Sequence, residues 1–82
     1  MAEYQFSRHA RDMMRERRIE VDWIALTLDD PEREEEKDDG TIHYVRSIKD
    51  RDGRYLRVLV NPHTKPRKVI TAFFDRSLGR KT

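Results

Sequence analysis

The chain has 82 residues, of which 41% are charged and 35% hydrophobic, so we expect one small domain over residues 1–82 with a thin core. It contains no cysteine, which excludes a disulfide framework and cysteine-ligated zinc. The first residues are polar and do not resemble a signal peptide. No apolar run approaches the roughly 20 residues that a membrane span needs. We therefore expect a cytoplasmic protein without a membrane contact.

The small net charge of +2 conceals an uneven distribution of charge along the chain. Residues 1–28 are neutral overall, residues 29–39 carry a net charge of −6, and residues 40–82 carry +8. A basic half of this kind favours a polyanionic partner, of which RNA and DNA are the commonest. The alternative is that these lysines and arginines lie on ordinary solvated strands and turns.

Residues 6–30 are predicted to form a helical hairpin. Ser7 is a suitable N-cap for a helix that runs to about Arg18, and the apolar side chains of that helix share one side of a helical wheel. A second helix is expected from Val21 to Leu28, ending before Pro31, since the residue before a proline disfavours the α conformation.

Arginines dominate the first helix. Four of them fall on one arc, which is either a nucleic-acid-facing stripe or a solvated face: Arg8, Arg11, Arg15 and Arg18. Arg17 instead projects near the middle of the apolar arc, so it must extend to the helix end, meet a carboxylate or point into a cleft.

The second helix places Trp23 and Leu26 opposite its own apolar stripe. An exposed tryptophan on so short a helix indicates a partner surface. The alternative is that the sheet or the other helix covers it.

Residues 32–75 are predicted to form a β-meander, followed by a basic tail over residues 76–82. Three strands are expected at Thr41–Lys49, Arg54–Asn61 and Lys68–Asp75, with Gly53 at a positive φ in the turn between the first two. Residues 32–38 and Glu3–Phe6 are weaker strand candidates. The fold class predicted is α+β, with two N-terminal helices packed on an antiparallel sheet of three to four strands.

The sequence contains no metal-binding or phosphate-loop pattern. The three histidines lack metal-ligand spacing and the three glycines are isolated, so neither a metal site nor a cofactor is predicted. What remains suits metal-free RNA cleavage, which needs an acid, a base and fixed cations around the phosphorane. His9 is a candidate because neighbouring cations favour its neutral form. The alternative is that it is structural or solvated.

Three segments of the chain resemble a known pattern. Phe6–Ile19 (FSRHARDMMRERRI) has an apolar residue, Ser-x-His-Ala and a helix ending Met-x-x-Arg-x-Ile; RVLVNP at 57–62 and VITAFFD at 69–75 resemble the rest. The chain thus resembles a bacterial family of uncharacterised small domains. That family is similar to the nuclease modules of polymorphic toxins and, more remotely, to RelE/ParE- and BrnT-type toxins, all of the barnase–EndoU–colicin–RelE-like group.

The resemblance implies two helices on a twisted antiparallel sheet and a metal-independent ribonuclease with RNA on the concave face of that sheet. It assigns catalytic roles to three residues: His9 as acid or base, Thr71 as a hydrogen-bond donor, and Arg17 as a charge stabiliser. Further cations are expected to contact RNA, and these are Arg57, Arg76, Arg46, Lys68, Arg8 and Arg11. One departure is that Arg18 stands where the family has a small residue or glycine, which changes the C-cap of the helix.

The leading hypothesis is therefore a RelE/EndoU-like endoribonuclease that acts as the toxin of a toxin–antitoxin pair, with an antitoxin protein as partner. The main alternative is a non-catalytic nucleic-acid-binding module. A third interpretation is a protein-interaction domain that uses Trp23, Leu26 and the acidic segment 29–39.

Overall fold

The computed structural model describes residues 4–79. In chain order the elements are β1 (Tyr4–Phe6), α1 (Arg8–Glu16), α2 (Val21–Asp29), β2 (Arg33–Glu36), β3 (Ile42–Ile48), β4 (Arg54–Asn61) and β5 (Arg67–Phe74). Short 3₁₀ helices follow β3 at Lys49–Arg51 and β5 at Arg76–Leu78. Glu3 of the predicted strand Glu3–Phe6 and residues 80–82 of the predicted tail lie outside the described residues.

The strands form one mixed sheet in the order β1-β5-β4-β3-β2. The α+β class and the two N-terminal helices are confirmed, whereas the sheet has five strands instead of three to four and is not wholly antiparallel. β1 pairs with β5 in parallel through residues 4–6 and 67–69, and every other pairing is antiparallel. The local sequence pattern could not predict the pairing of β1 with β5, because β1 has only three residues and its partner lies more than 60 positions away.

Both helices pack on one face of the sheet, where the core lies. On β4, Leu56, Val58 and Val60 are fully buried and alternate with partly exposed residues. These three side chains pack with residues of both helices, including Ala10 and Ile24, which are also fully buried. We call the opposite surface of the sheet the open face.

A β-bulge in β5 decides which of its residues reach the open face. Leu59 lies opposite Thr71 but Val60 lies opposite Val69, so Ile70 is an extra residue on β5. Val69 and Ala72 consequently both face the core. Thr71 pairs with Leu59, and Phe73 pairs with Arg57, so both are on the open face.

α1 is capped at both ends by specific hydrogen bonds. The Ser7 hydroxyl oxygen accepts from the Ala10 amide at 3.0 Å, which confirms the predicted N-cap. At the other end the Ile19 amide donates to the Met14 carbonyl and the Arg18 amide to the Arg15 carbonyl, the two bonds of a Schellman motif. Arg18 occupies its left-handed position at φ 54°, where glycine is usual.

The second helix and the β3–β4 turn complete the layer over the core. Trp23 is partly buried and packs edge-on against Phe74, with ring centroids 6.1 Å apart, so the sheet does cover this tryptophan. Leu26 stays 42% exposed. Gly53 in the turn has φ 76°, as its position predicted. Within residues 4–79, neither helix is long and apolar enough to cross a membrane.

Candidate functional site

A cleft opens at the end of the sheet where β5 stops. Its volume is about 610 Å³, a size typical of ligand sites, and its lining includes the rings of Phe73 and Phe74. Four guanidinium groups surround it, and we call it the arginine cleft; its lining residues are Arg17, Arg51, Arg54, Phe73, Phe74, Asp75, Arg76 and Gly79.

The topology of the sheet brings these residues together from distant parts of the sequence. Leu56 of β4 pairs with Phe74 of β5, so the start of β4 and the end of β5 lie at the same end of the sheet. Arg51 and Arg54 come from the β3–β4 turn and its exit. Arg17 reaches the same place from the C-terminus of α1, where its Nη1 donates to the Ala72 carbonyl at 3.0 Å.

The four arginines of the cleft carry unneutralised charge. Within the described part of the chain none of them forms an ion pair with a carboxylate. Asp75, which also lines the cleft, has both carboxylate oxygens engaged elsewhere: Oδ2 accepts from Arg57 Nε and Oδ1 from the amide and hydroxyl of Ser77. The cleft is therefore net positive.

Aromatic rings hold two of these arginines in place. The Arg51 guanidinium lies 4.7 Å from the Phe74 ring centroid and 5.7 Å from that of Trp23. The Arg17 guanidinium lies 5.9 Å from the Phe73 ring centroid. Cation–π contacts at these distances orient a guanidinium without neutralising it.

Arg57 on the open face has the opposite environment. Its side chain is only 12% exposed, and its Nε donates to Asp75 Oδ2 at 2.7 Å. Its Nη1 lies 3.1 Å from Glu35 Oε1 and 3.1 Å from His43 Nδ1. The guanidinium is therefore neutralised by two carboxylates. It joins β2, β3, β4 and the residue that follows β5.

This contact defines the protonation state of His43. A guanidinium has only donors, so Nδ1 of His43 must accept, and its proton is on Nε2. Burial and the nearby charge of Arg57 lower the pKa of His43 below its ordinary value of 6.5, which agrees with a neutral ring. His43 therefore presents a donor at Nε2 and no free acceptor nitrogen.

The carboxylates around Arg57 are held ionised. Hydrogen bonds from Lys37 and then Arg57 lower the pKa of Glu35 to about 2. Hydrogen bonds from Ser77, followed by that from Arg57, lower the pKa of Asp75 below its ordinary value. The lowered pKa makes each carboxylate a weaker proton acceptor than a free one.

The structure brings together some of the sequence-predicted residues and not others. Arg17 and Arg76 line the cleft. Arg57 does not line it but donates a hydrogen bond to Asp75, which does. The remaining predicted cations lie elsewhere: Arg8 and Arg11 are exposed on α1, Lys68 sits opposite Asn61, and Arg46 donates to the Asp30 carbonyl at 2.9 Å beyond α2.

The two predicted acid–base and donor residues, His9 and Thr71, do not line the cleft. Thr71 is on the open face, whereas α1, which carries His9, packs against β5 through Ala10 from the core side. His9 is exposed. Within residues 4–79 no contact joins His9 to Thr71, and their pairing in one site stays a prediction.

Sequence reasoning missed Arg51, Arg54 and the rings that line the cleft. The charged turn Asp50-Arg51-Asp52-Gly53-Arg54 was recognised only as a turn. A meander places the first hairpin turn beside the end of the third strand, so the predicted topology already contained this signal. Within residues 4–79 no group of three or more histidine, aspartate or glutamate side chains is arranged to hold a metal ion.

Comparisons with known proteins identify the family but add no activity. No curated protein and no solved structure matches the chain. One family model, DUF4258, a domain of unknown function, matches residues 6–74, from the last residue of β1 to the last residue of β5. The matched range contains the Ser-x-His-Ala helix and nearly all of the Val-x-Thr-Ala strand segment. The chain belongs to this family of domains of unknown function.

Proposed function

We propose that this domain binds single-stranded RNA, with the arginine cleft as the principal site. The observation that carries this proposal is the set of four arginines that have no carboxylate partner within residues 4–79 and that share one cavity with two phenylalanine rings. Guanidinium groups present planar pairs of donors that match phosphate oxygens, and their contacts are about twice as strong as neutral hydrogen bonds.

The rings of the cleft suit a single strand better than a duplex. Unpaired bases stack on aromatic side chains and on guanidinium planes, and one such contact is worth about 1–3 kcal/mol per base. Phe73 and Arg17 supply both surfaces within one cavity. A duplex keeps its bases stacked internally and offers none of them to these rings.

α1 provides a second set of cations beside the cleft. Arg8, Arg11 and Arg15 of α1 are exposed, as is Arg18 just beyond its end, and the C-cap residue Arg17 lines the cleft. Within residues 4–79 Arg15 alone of these four forms an ion pair, with Asp12 at 3.9 Å, in a solvent-exposed contact of little strength. An RNA strand that leaves the cleft would therefore meet positive charge along α1.

The binding test compares the cleft with a matched surface cation. Arg54→Gln with Arg76→Gln removes two cleft arginines whose side chains form no ion pair or cation–π contact within residues 4–79. We expect about a tenfold loss of affinity for a labelled 12-nucleotide RNA, or about 1.4 kcal/mol. Lys49→Gln, a control from the exposed 3₁₀ helix next to the cleft, should change affinity by less than about threefold. A single-stranded DNA of the same sequence tests the preference for RNA.

The salt dependence provides an independent readout of the same contacts. For single strands, log K falls with log salt by about 0.7 per phosphate neutralised. We therefore expect the double variant to have a shallower slope than the wild type. Equal affinity and equal slopes in the double variant and the wild type would refute the proposal.

A second candidate is RNA cleavage, as in the toxin nucleases that the sequence resembles, with an antitoxin protein as inhibitor. Its supporting observation is that Arg17, which the resemblance assigns to charge stabilisation, and Arg76, which is expected to contact RNA, line one cleft. His9 is eight residues before Arg17, about 12 Å along a helix axis. RNA lying from the cleft along α1 would therefore pass His9.

Cleavage is tested by time courses with transfer RNA, messenger RNA and ribosome-bound messenger RNA. The cleavage hypothesis expects His9→Ala and Thr71→Val to abolish product formation while circular dichroism stays unchanged. If the wild type binds RNA and leaves all three substrates intact, the domain is a binding module and not a nuclease.

A further inference from the structure

We propose that the arginine cleft recognises the terminal phosphate of an RNA strand, a phosphomonoester, in preference to the phosphodiesters within the strand. This inference rests on the proposed RNA binding and names the part of the RNA that enters the cleft. It follows from the density of charge in the cleft, from the absence among residues 4–79 of a second cationic path on the side away from α1, and from the preorganisation of its arginines.

The charge in the cleft exceeds what one phosphodiester needs. An internal phosphodiester carries one negative charge and two free oxygens, whereas a terminal phosphomonoester carries a charge of about −1.5 to −2 at pH 7 and three free oxygens. Four guanidinium groups border a single cavity of about 610 Å³. A groove that follows a backbone would instead spread its cations along the strand.

Among residues 4–79, the part of the open face next to the cleft offers no unpaired cation that could continue the path of the RNA backbone. Its central cation, Arg57, is already neutralised by Asp75 and Glu35. Lys37 and Arg33 on the β2 side also pair with Glu35, at 2.9 and 3.6 Å. The surrounding segment 29–39 carries a net charge of −6 and repels phosphate. A strand bound in the cleft therefore leaves on the α1 side only, and the cleft holds its end.

Two of the arginines are preorganised for a compact anion. Arg17 is fixed by the Ala72 carbonyl through Nη1, and its other nitrogens make no hydrogen bond within residues 4–79. Arg51 is held over the rings of Phe74 and Trp23. Holding these long side chains before binding lowers the entropy that a ligand must overcome. Arg54 and Arg76, which make no such contacts, then close on the phosphate.

The experiment uses one octaribonucleotide sequence in four forms, titrated into the full chain. The forms carry a 5′-phosphate, a 3′-phosphate, hydroxyls at both ends, or no ends because the strand is circular. Fluorescence of Trp23, the only tryptophan, reports occupancy because Arg51 contacts both its ring and the cleft. We expect one phosphorylated form to bind at least about tenfold more tightly than the hydroxyl-ended and circular forms.

Substitution then ties that preference to the cleft. In the Arg54→Gln, Arg76→Gln variant the advantage of the terminal phosphate should fall below about threefold, whereas Lys49→Gln should retain it in full. Circular dichroism and urea unfolding establish that the variants are folded. If the double variant is unfolded, Arg76→Gln alone is used, since Arg76 is exposed in the 3₁₀ helix that follows β5.

Each outcome distinguishes the inference from the proposed function on which it rests. Equal binding of all four forms would overturn terminal recognition and leave RNA binding in place. Absence of binding by every form would refute both. If a nucleoside monophosphate binds as tightly as the phosphorylated strand, the phosphate that the cleft recognises belongs to a free nucleotide. That result would overturn the proposal that the ligand is the end of an RNA strand.

Discussion

Arginines have different electrostatic environments in two neighbouring regions of this protein. In the arginine cleft four guanidinium groups share one cavity without a carboxylate partner among residues 4–79. On the open face Arg57 is nearly buried and is neutralised by Glu35 and Asp75. Asp75 belongs to both regions, and because Arg57 and Ser77 occupy its oxygens, it does not neutralise the cleft. The comparison shows that the partner of a cation, more than its type, separates a structural arginine from one that is available to a ligand.

The largest expected effect comes from removing the structural arginine. Arg57→Met leaves Glu35 and Asp75 without their shared donor, and we expect the free energy of unfolding to fall by about 2–3 kcal/mol. That is below the cost for a fully buried pair, because the Glu35 side chain is 26% exposed and keeps Lys37.

Urea unfolding measures this cost, with Arg54→Met as the control. Arg54 is exposed and forms no ion pair within residues 4–79, so its substitution should change the free energy of unfolding by no more than about 0.5 kcal/mol. Equal effects of the two substitutions would break the distinction between the two regions.

Arg18 differs from both groups, because its effect on the free energy of unfolding comes from its backbone conformation and not from its charge. It stands in the left-handed position of the Schellman motif at φ 54°. Arg18→Gly should stabilise the domain by about 0.5–1 kcal/mol, because the strain of a Cβ there outweighs the added freedom of the unfolded chain.

Thermal unfolding checks this gain, which corresponds to a rise in Tm of about 2–8 °C for a domain of this size. The matched control is Arg15→Gly within α1, which should destabilise by about 0.5–1 kcal/mol. A lower Tm for Arg18→Gly would mean that the Arg18 side chain contributes more than its backbone costs.

Within the cleft, lysine substitutions separate charge from geometry. Arg54→Lys with Arg76→Lys keeps the charge and loses the planar fork, so RNA affinity should fall by about threefold while the salt slope stays unchanged. Fluorescence titration at several salt concentrations measures both quantities. A drop as large as that of the glutamine variant would indicate that charge contributes little to binding.

The pH dependence of stability is the smallest expected effect near neutrality. The pKa of His43 is lower in the folded state than its ordinary value of 6.5, so below pH 6.5 the unfolded chain binds more protons. The free energy of unfolding should therefore decrease as the pH falls below about 6.5. A second loss should follow between the ordinary pKa of Glu35, 4.5, and its folded value of about 2.

His43→Gln isolates the first of these two steps. In urea unfolding at a series of pH values, this variant should lose the dependence just below pH 6.5 and keep the decline below pH 4.5. A His43→Gln profile identical to that of the wild type would show that His43 does not titrate with unfolding.

Much of the fold followed from the sequence, since it depends on local signals. The N-cap at Ser7, the alternation of β4 and the turn at Gly53 are set by side chains within a few positions of one another. The parallel strand β1 did not follow, because three residues carry too little pattern to name a partner. Nor did the bulge at Ile70, which decides that Thr71 and Phe73 face the open side.

The candidate site was predicted only in part. Arg17 was expected to extend to the helix end, to meet a carboxylate or to point into a cleft, and Arg76 was expected beside the last strand. Both line the cleft. Trp23 was weighed as a partner surface, but Phe74 and Arg51 cover much of it. His43 was treated only as one of three scattered histidines, because its contact with Arg57 joins residues on neighbouring strands.

The sequence by itself determined the α+β class, the two helices and an excess of positive charge in the second half of the chain. Those properties depend on composition and on periodicity within each element. Only the tertiary structure decided which arginines are neutralised and which surround a cavity. The physical reason is that neutralisation requires a carboxylate within a few ångströms, and here Arg57 meets carboxylates 18 and 22 positions away.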